Sequence, residues 1–146
     1  MAAGLRIRQE NIADFQIAFE NSIQSRSEPE DLIQTLHIDG ELDFAAISDG
    51  LIDELESLMP FGAGNPEPLF ITPNIRVLSS RIVGKRHRSM VLRQLSRPNT
   101  PSFQAIQFNV DERSAQEKNF ANVVFRLHWN RWNGKKTAQM VVVDLQ

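Results

Sequence analysis

Ile12, Phe15, Phe19 and Ile23 recur at steps of three and four, which places them on one stripe of a helix. The spacing predicts a helix over residues 11–26, capped by Asn11, with Asp14 in the first turn where negative charge suits the helix dipole. Ser25 to Pro29 breaks that pattern. Leu36 and Ile38 alternate with His37 and Asp39, a short strand ending at Gly40. Phe44, Ile47, Leu51, Leu55 and Leu58 predict a second helix over residues 44–58, with Asp43 as its cap. Residues 60–68 then hold three prolines and two glycines. Such a stretch is neither regular helix nor central strand; its prolines restrict the chain and its glycines permit positive φ, so it reads as a shaped connector.

After Pro68 the period shortens from helical spacing to alternation. Strands are predicted over residues 70–83, 88–97, 102–110, 120–132 and 135–145, with a polar insertion, Asp111 to Asn119, that is a loop or one short helix. Five strands with an insertion after the third is the element count of an OB-type barrel; a small sandwich or an SH3-like barrel shares it. The last two strands can be registered. Asn133-Gly134 between apolar runs signals a type I′ hairpin, so Trp132 pairs with Lys135. One face then carries Trp129–Ala138, Leu127–Met140 and Phe125–Val142, all apolar. The other carries Trp132–Lys135, Asn130–Thr137, His128–Gln139 and Arg126–Val141. A slip of one residue would mix the two sets.

Composition adds two exclusions and one division. The 146 residues are 41% hydrophobic and 23% charged, as in ordinary globular chains, and contain no cysteine. Disulfides, thiol catalysis and thiolate metal sites are thereby excluded, and a reducing, cytoplasmic setting fits. The N-terminus lacks a signal-peptide pattern, and no apolar run is long enough to span a bilayer. The net charge of -2 conceals a split: residues 1–60 hold 3 basic and 13 acidic residues, residues 61–146 hold 13 basic and 5 acidic ones. The basic half suits a polyanion.

No catalytic set is evident. His37, His87 and His128 have neither metal-ligand spacing nor a neighbouring carboxylate cluster, and the His37-x-Asp39 pair reads as solvated or hydrogen-bonded rather than metal-binding. The binding signal is stronger. Arg76, Arg81, Lys85, Arg86, Arg88, Arg93 and Arg97 fall within residues 76–97 without one acidic residue. The stretch from Arg81 to Arg88 is a basic turn between the first two long strands, with Gly84 permitting the bend. Arg126, Lys135 and an exposed Trp132 extend the set on the polar face of the last hairpin. Basic side chains tracking phosphates beside an aromatic platform meet the needs of single-strand binding. The candidate nucleic-acid-binding residues are therefore Arg76, Arg81, Lys85, Arg86, His87, Arg88, Arg93, Arg126, Trp132 and Lys135. Trp132 either stacks on a base or folds over the neighbouring loop.

The residues also carry a resemblance. Leu58-Met59-Pro60-Phe61-Gly62-Ala63-Gly64-Asn65-Pro66-Glu67-Pro68 resembles the long connector of RecJ-type single-stranded-DNA-specific exonucleases, of the DHH phosphoesterase superfamily. Ala2-Ala3-Gly4-Leu5 and Ile38-Asp39-Gly40-Glu41-Leu42 resemble parts of the DHH-associated domain of that family. Gly84-Lys85-x-His87, Ala105-Ile106-x-Phe108 and Asn130-x-Trp132-Asn133-Gly134, with Gln139 and Asp144, resemble its OB-fold landmarks. The residue after Gly-Lys-x-His is usually apolar in the family; here it is Arg88. The resemblance implies an α+β chain: a helix-rich partial DHH-associated domain over 1–59, the connector over 60–68, and a five-stranded OB-type barrel over 69–146.

It further implies a 5′-to-3′ exonuclease of DNA repair and recombination that uses manganese or magnesium held in an N-terminal DHH domain. No residue here matches those ligands. The chain is expected to be a C-terminal fragment with no catalytic or metal-binding residue and no cofactor of its own. Its expected partners are single-stranded DNA, the DHH domain and a single-strand-binding protein, with no membrane. The partial domain is expected to expose apolar surface. A second possibility, a protein-interaction module whose basic face docks an acidic partner, remains open.

Overall fold

The computed structural model describes residues 4–28, 35–84, 86–96, 99–110 and 117–146. The chain forms two compact units, Met1–Leu36 and His37–Gln146. The first contains α1, Ile12–Arg26. Its start matches the apolar spacing, but Asn11 makes no side-chain cap; a 3-10 turn over Gln9–Asn11 leads into the helix instead. None of its residues is buried, and the Phe15 and Phe19 rings stack at 5.6 Å along the stripe.

The second unit starts with β1, Gly40–Glu41, which begins where the predicted strand ends. Asp39 explains the displacement: its N–H donates to the Leu69 carbonyl and its Oδ2 accepts from the Leu69 N–H at 2.8 Å. The single helix expected over 44–58 is two elements. Phe44–Ala46 make a 3-10 turn, Ile47 is extended, and α2 spans Asp49–Ser57. The cap is Ser48, whose hydroxyl accepts from the Leu51 N–H at 3.2 Å, rather than Asp43. The connector is shaped by Asn65, whose side-chain amide donates to the Leu58 and Pro60 carbonyls at 2.8 and 3.1 Å. Gly62 and Asn65 also exchange backbone bonds.

The remaining strands are β2 Phe70–Val83, β3 His87–Gln94, β4 Ser102–Gln107, β5 Asn119–Trp132 and β6 Lys135–Leu145. β3 and β4 end three residues earlier than predicted. Leu95 leaves the ladder to bond the Asn74 carbonyl, and Asn109, at φ 55, turns the chain out. The last hairpin has the register read from sequence, Trp132↔Lys135 to Phe125↔Val142, until a bulge at Val124 shifts it. Asn133 and Gly134 both have positive φ, as a type I′ turn requires.

The sheet runs β1-β2-β3-β4-β6-β5 and closes by pairing β2 with β5. β4 and β6 are parallel; the other barrel pairs are antiparallel. This is a closed five-stranded mixed barrel with β1 added alongside β2.

Ile75, Val77, Met90, Leu92, Val123, Phe125, Leu127, Met140 and Val142 fill it. Phe44 and Ile52, ahead of the connector, belong to the same core and are fully buried. The Phe44 ring meets Phe103 and Phe125 edge-on, and its N–H donates to the side-chain carbonyl of buried Gln94. The connector expected as a join therefore lies inside the second unit, and the division falls between Leu36 and His37. α2 is fastened to the β5–β6 hairpin by charge. Arg131 grips Glu56 with two bonds of 2.7 and 2.6 Å; Trp129 Nε1 and Lys136 Nζ both donate to Asp53 Oδ1 at 2.7 and 2.8 Å.

Candidate nucleic-acid interface

Alternation along β2, β3 and β4 sends Ile75, Val77, Met90, Leu92 and Ala105 inward, so their neighbours form the outer face. Register then arranges that face in rows. Arg76 lies opposite Arg93, and Arg93 opposite Ser102. Beyond the bulge after Val77 comes a row of Ser79, Val91, Gln104, Gln139 and His128. The third row is Arg81, Ser89, Ile106, Val141 and Arg126. The long strands thus carry guanidiniums towards both ends of a face otherwise made of hydroxyls, amides, short apolar groups and the His128 imidazole.

Four predicted site residues, Arg76, Arg81, Arg86 and Arg93, are exposed and have no side-chain partner among the described residues. Lys135 is likewise exposed and unpaired among them, at the tip of the last hairpin. Trp132 beside it keeps 73% of its surface, so it does not fold over the neighbouring turn. Lys85 and Arg97 lie outside the described residues.

Three assignments change. Arg88, expected as a phosphate ligand, is 1% exposed. Its Nε donates to Ser80 Oγ at 2.9 Å and its Nη2 to the Glu117 carbonyl at 2.7 Å, with the guanidinium 5.9 Å above the Phe120 ring. Burial lowers its pKa from the ordinary arginine value, while the Glu117 charge opposes that shift. Arg88 is thus a member of the barrel interior. His87 is half-buried, with its ring edge-on to Phe108 at 5.0 Å and Nδ1 facing the Asn109 N–H at 3.4 Å. Arg126 is engaged by the connector: its Nε lies 3.2 Å from Glu67, whose other oxygen faces His128 Nε2. Glu67 thereby neutralises the β5 side of the third row.

His37 is exposed, the Asp39 carboxylate is used by the Leu69 N–H, and no group of three His, Asp or Glu side chains converges among the described residues. An apolar pocket of about 110 Å³, lined by Leu55, Met59, Phe61, Leu127 and Trp129 among others, shares no residue with the free arginines. Among the described residues, no helix is long and apolar enough to cross a membrane.

Pairing extends the face to residues that composition could not single out. Asn119 lies opposite Arg76, and Ser102 opposite Arg93. The signal that identifies them is register between strands distant in sequence.

A closed mixed barrel of this order, with free basic residues on its outer face, defines an OB-type domain. Residues 38–144 match the family model of the RecJ OB domain, and the chain belongs to that family. It is 30% identical over 146 residues to the single-stranded-DNA-specific exonuclease RecJ of Haemophilus influenzae, covering 97% of this chain and 25% of that protein. RecJ of Salmonella typhimurium is 28% identical over 147 residues, covering 99% of this chain and 25% of that protein. The chain therefore spans about a quarter of the length of these relatives. The crystal structure of RecJ with Mn2+ from Thermus thermophilus superposes with a TM-score of 0.67 at 22% identity, covering 98% of this chain and 20% of that one. The corresponding Mg2+ complex gives 0.66 at 21%, covering 96% and 21%.

Proposed function

We propose that this chain grips single-stranded DNA as the C-terminal portion of a RecJ-like 5′-to-3′ exonuclease acting in DNA repair and recombination. The observation that carries the reading is the set of Arg76, Arg81, Arg86 and Arg93, four exposed guanidiniums on the β2–β3 hairpin without partners among the described residues. Unpaired cations on one barrel face favour a polyanion, and Trp132 offers a base a stacking surface. Hydrolysis is assigned to a DHH domain holding manganese or magnesium, and the role of this chain is to hold the strand. The DHH domain and a single-strand-binding protein are its proposed protein partners, in the cytoplasm.

Anisotropy titration of a labelled oligothymidylate against the chain, repeated between about 50 and 200 mM salt, tests this. Binding that weakens steeply with salt, and that an acidic peptide of equal charge does not match, is expected. Equal or tighter binding of the peptide, or no binding of the oligonucleotide, would overturn the reading in favour of an acidic protein partner or neither. With manganese present, the chain alone is expected to leave the oligonucleotide intact.

A further inference from the structure

Two of the free arginines are not merely near one another. Arg76 and Arg93 are direct cross-strand partners, so their Cβ atoms stand about 4.5–5.5 Å apart on one face. Like charges in that position repel and destabilise the sheet. Among the described residues neither has an acidic partner across the sheet: Asn119, opposite Arg76, and Ser102, opposite Arg93, are both exposed and neutral. The charge of Glu117, two residues before Asn119, acts on buried Arg88. The row across β5, β2, β3 and β4 thus reads amide, guanidinium, guanidinium, hydroxyl. Every member can donate hydrogen bonds, and none has a side-chain partner among the described residues.

We propose that this row is a seat for a single phosphodiester, clamped between Arg76 and Arg93 and flanked by Asn119 and Ser102. The inference rests on the single-strand-binding reading and assigns it one defined contact. A phosphate between two guanidiniums relieves their repulsion and accepts from both planar forks. The second group of free arginines, Arg81 and Arg86, lies towards the β2–β3 turn. Ser89, opposite Arg81, is four residues from Arg93 on β3, or about 13 Å. The two groups would therefore contact different phosphates of one strand.

The salt dependence of oligothymidylate binding tests this. On a single strand each neutralised phosphate contributes about 0.7 to the slope of log K against log salt. The double variant is expected to lower the slope by about 0.7, the share of one phosphate, and R76Q and R93Q each by less, because the arginine that remains still holds part of that phosphate's charge. R81Q, acting elsewhere, is expected to add its own loss to theirs. Without DNA, R76Q should raise the thermal midpoint by about 1–4 °C by removing the repulsion. Inorganic phosphate should stabilise the wild type and not the double variant.

Singles that each lose about 0.7, with a double variant that loses about 1.4, would mean two separate phosphates and overturn the clamp. An unchanged slope in the double variant, with R81Q still weakening binding, would overturn the clamp and leave the single-strand reading standing. Wild-type protein that binds no oligonucleotide would overturn both.

Discussion

Replacing Arg88 with Met separates a structural arginine from a phosphate ligand. The losses include the charge-assisted bonds to Ser80 Oγ and to the Glu117 carbonyl, together with the contact to Phe120. Bonds to charged groups contribute about 1.5–3 kcal/mol each, and a cation over an aromatic face about 0.5–1 kcal/mol. Two effects offset this loss. The cost of desolvating the guanidinium disappears with it. Ser80 and Glu117 are exposed residues, so water can replace part of what they lose. The net cost should be about 1–3 kcal/mol. At about 3–4 °C per kcal/mol for a chain of this size, the thermal midpoint should fall by about 3–12 °C. Thermal unfolding by circular dichroism reads that shift, and oligonucleotide binding measured well below the midpoint reads the other possibility. R81Q should show the converse: an unchanged midpoint and weaker binding. R88M with an unchanged midpoint and a salt slope reduced as in R81Q would refute the interior assignment.

Trp132→Ala should weaken oligonucleotide binding by about 1–3 kcal/mol, because an indole this exposed is available to stack on a base. Intrinsic fluorescence should be quenched by DNA in the wild type, and a variant binding as tightly as wild type would remove Trp132 from the interface. In acid the α2 attachment should fail early. Asp53 is held below its ordinary 3.8 by hydrogen bonds from Lys136 and Trp129, and Glu56 below 4.5 by Arg131. Depressed carboxylates contribute stability that is complete above their ordinary values and is lost as pH falls through the lowered ones. The Trp129 signal should therefore change below about pH 4 in the wild type. A D53N/E56Q variant should be less stable at pH 7 and show a smaller loss over the acid range. Identical acid profiles would contradict this account of the attachment.

Much of the barrel was legible because alternation and turn chemistry are local. The Asn133-Gly134 turn fixed one register, and with it the inward path of Trp129 and the outward path of Trp132. The same alternation held the clue to Arg88. Met90 and Leu92 point inward, so residue 88 shares their face; counting positive charge along the segment obscured what period two already indicated. Asp43 and Asn11 looked like caps because their residue type is right, but neither side chain bonds the helix backbone: Asn11 already lies in a 3-10 turn and Asp43, though extended, leads only a 3-10 turn, while Ser48 both is extended and accepts from the Leu51 N–H. The burial of Phe44 in the barrel depends on a partner fifty residues away, Gln94, which no local pattern reveals. The hold of Glu67 on Arg126 and His128 is equally non-local: a single acidic residue in the connector removes one cation from the free surface.

The position of β6 has a consequence for how this chain is made. Strands β5, β2, β3 and β4 can assemble in that order as an open sheet whose two rims are β4 and β5. β6 fits both rims at once, parallel to one and antiparallel to the other, and Gln146 exchanges backbone bonds with Asn122 at the far end. During synthesis every residue through 146 must emerge before the barrel can seal, and until then its two rims stay unpaired. Unpaired rims recruit other chains. A chain stopped at Gly134 should accordingly be lost to concentration-dependent aggregation, and a peptide carrying residues 135–146, added in trans, should rescue it.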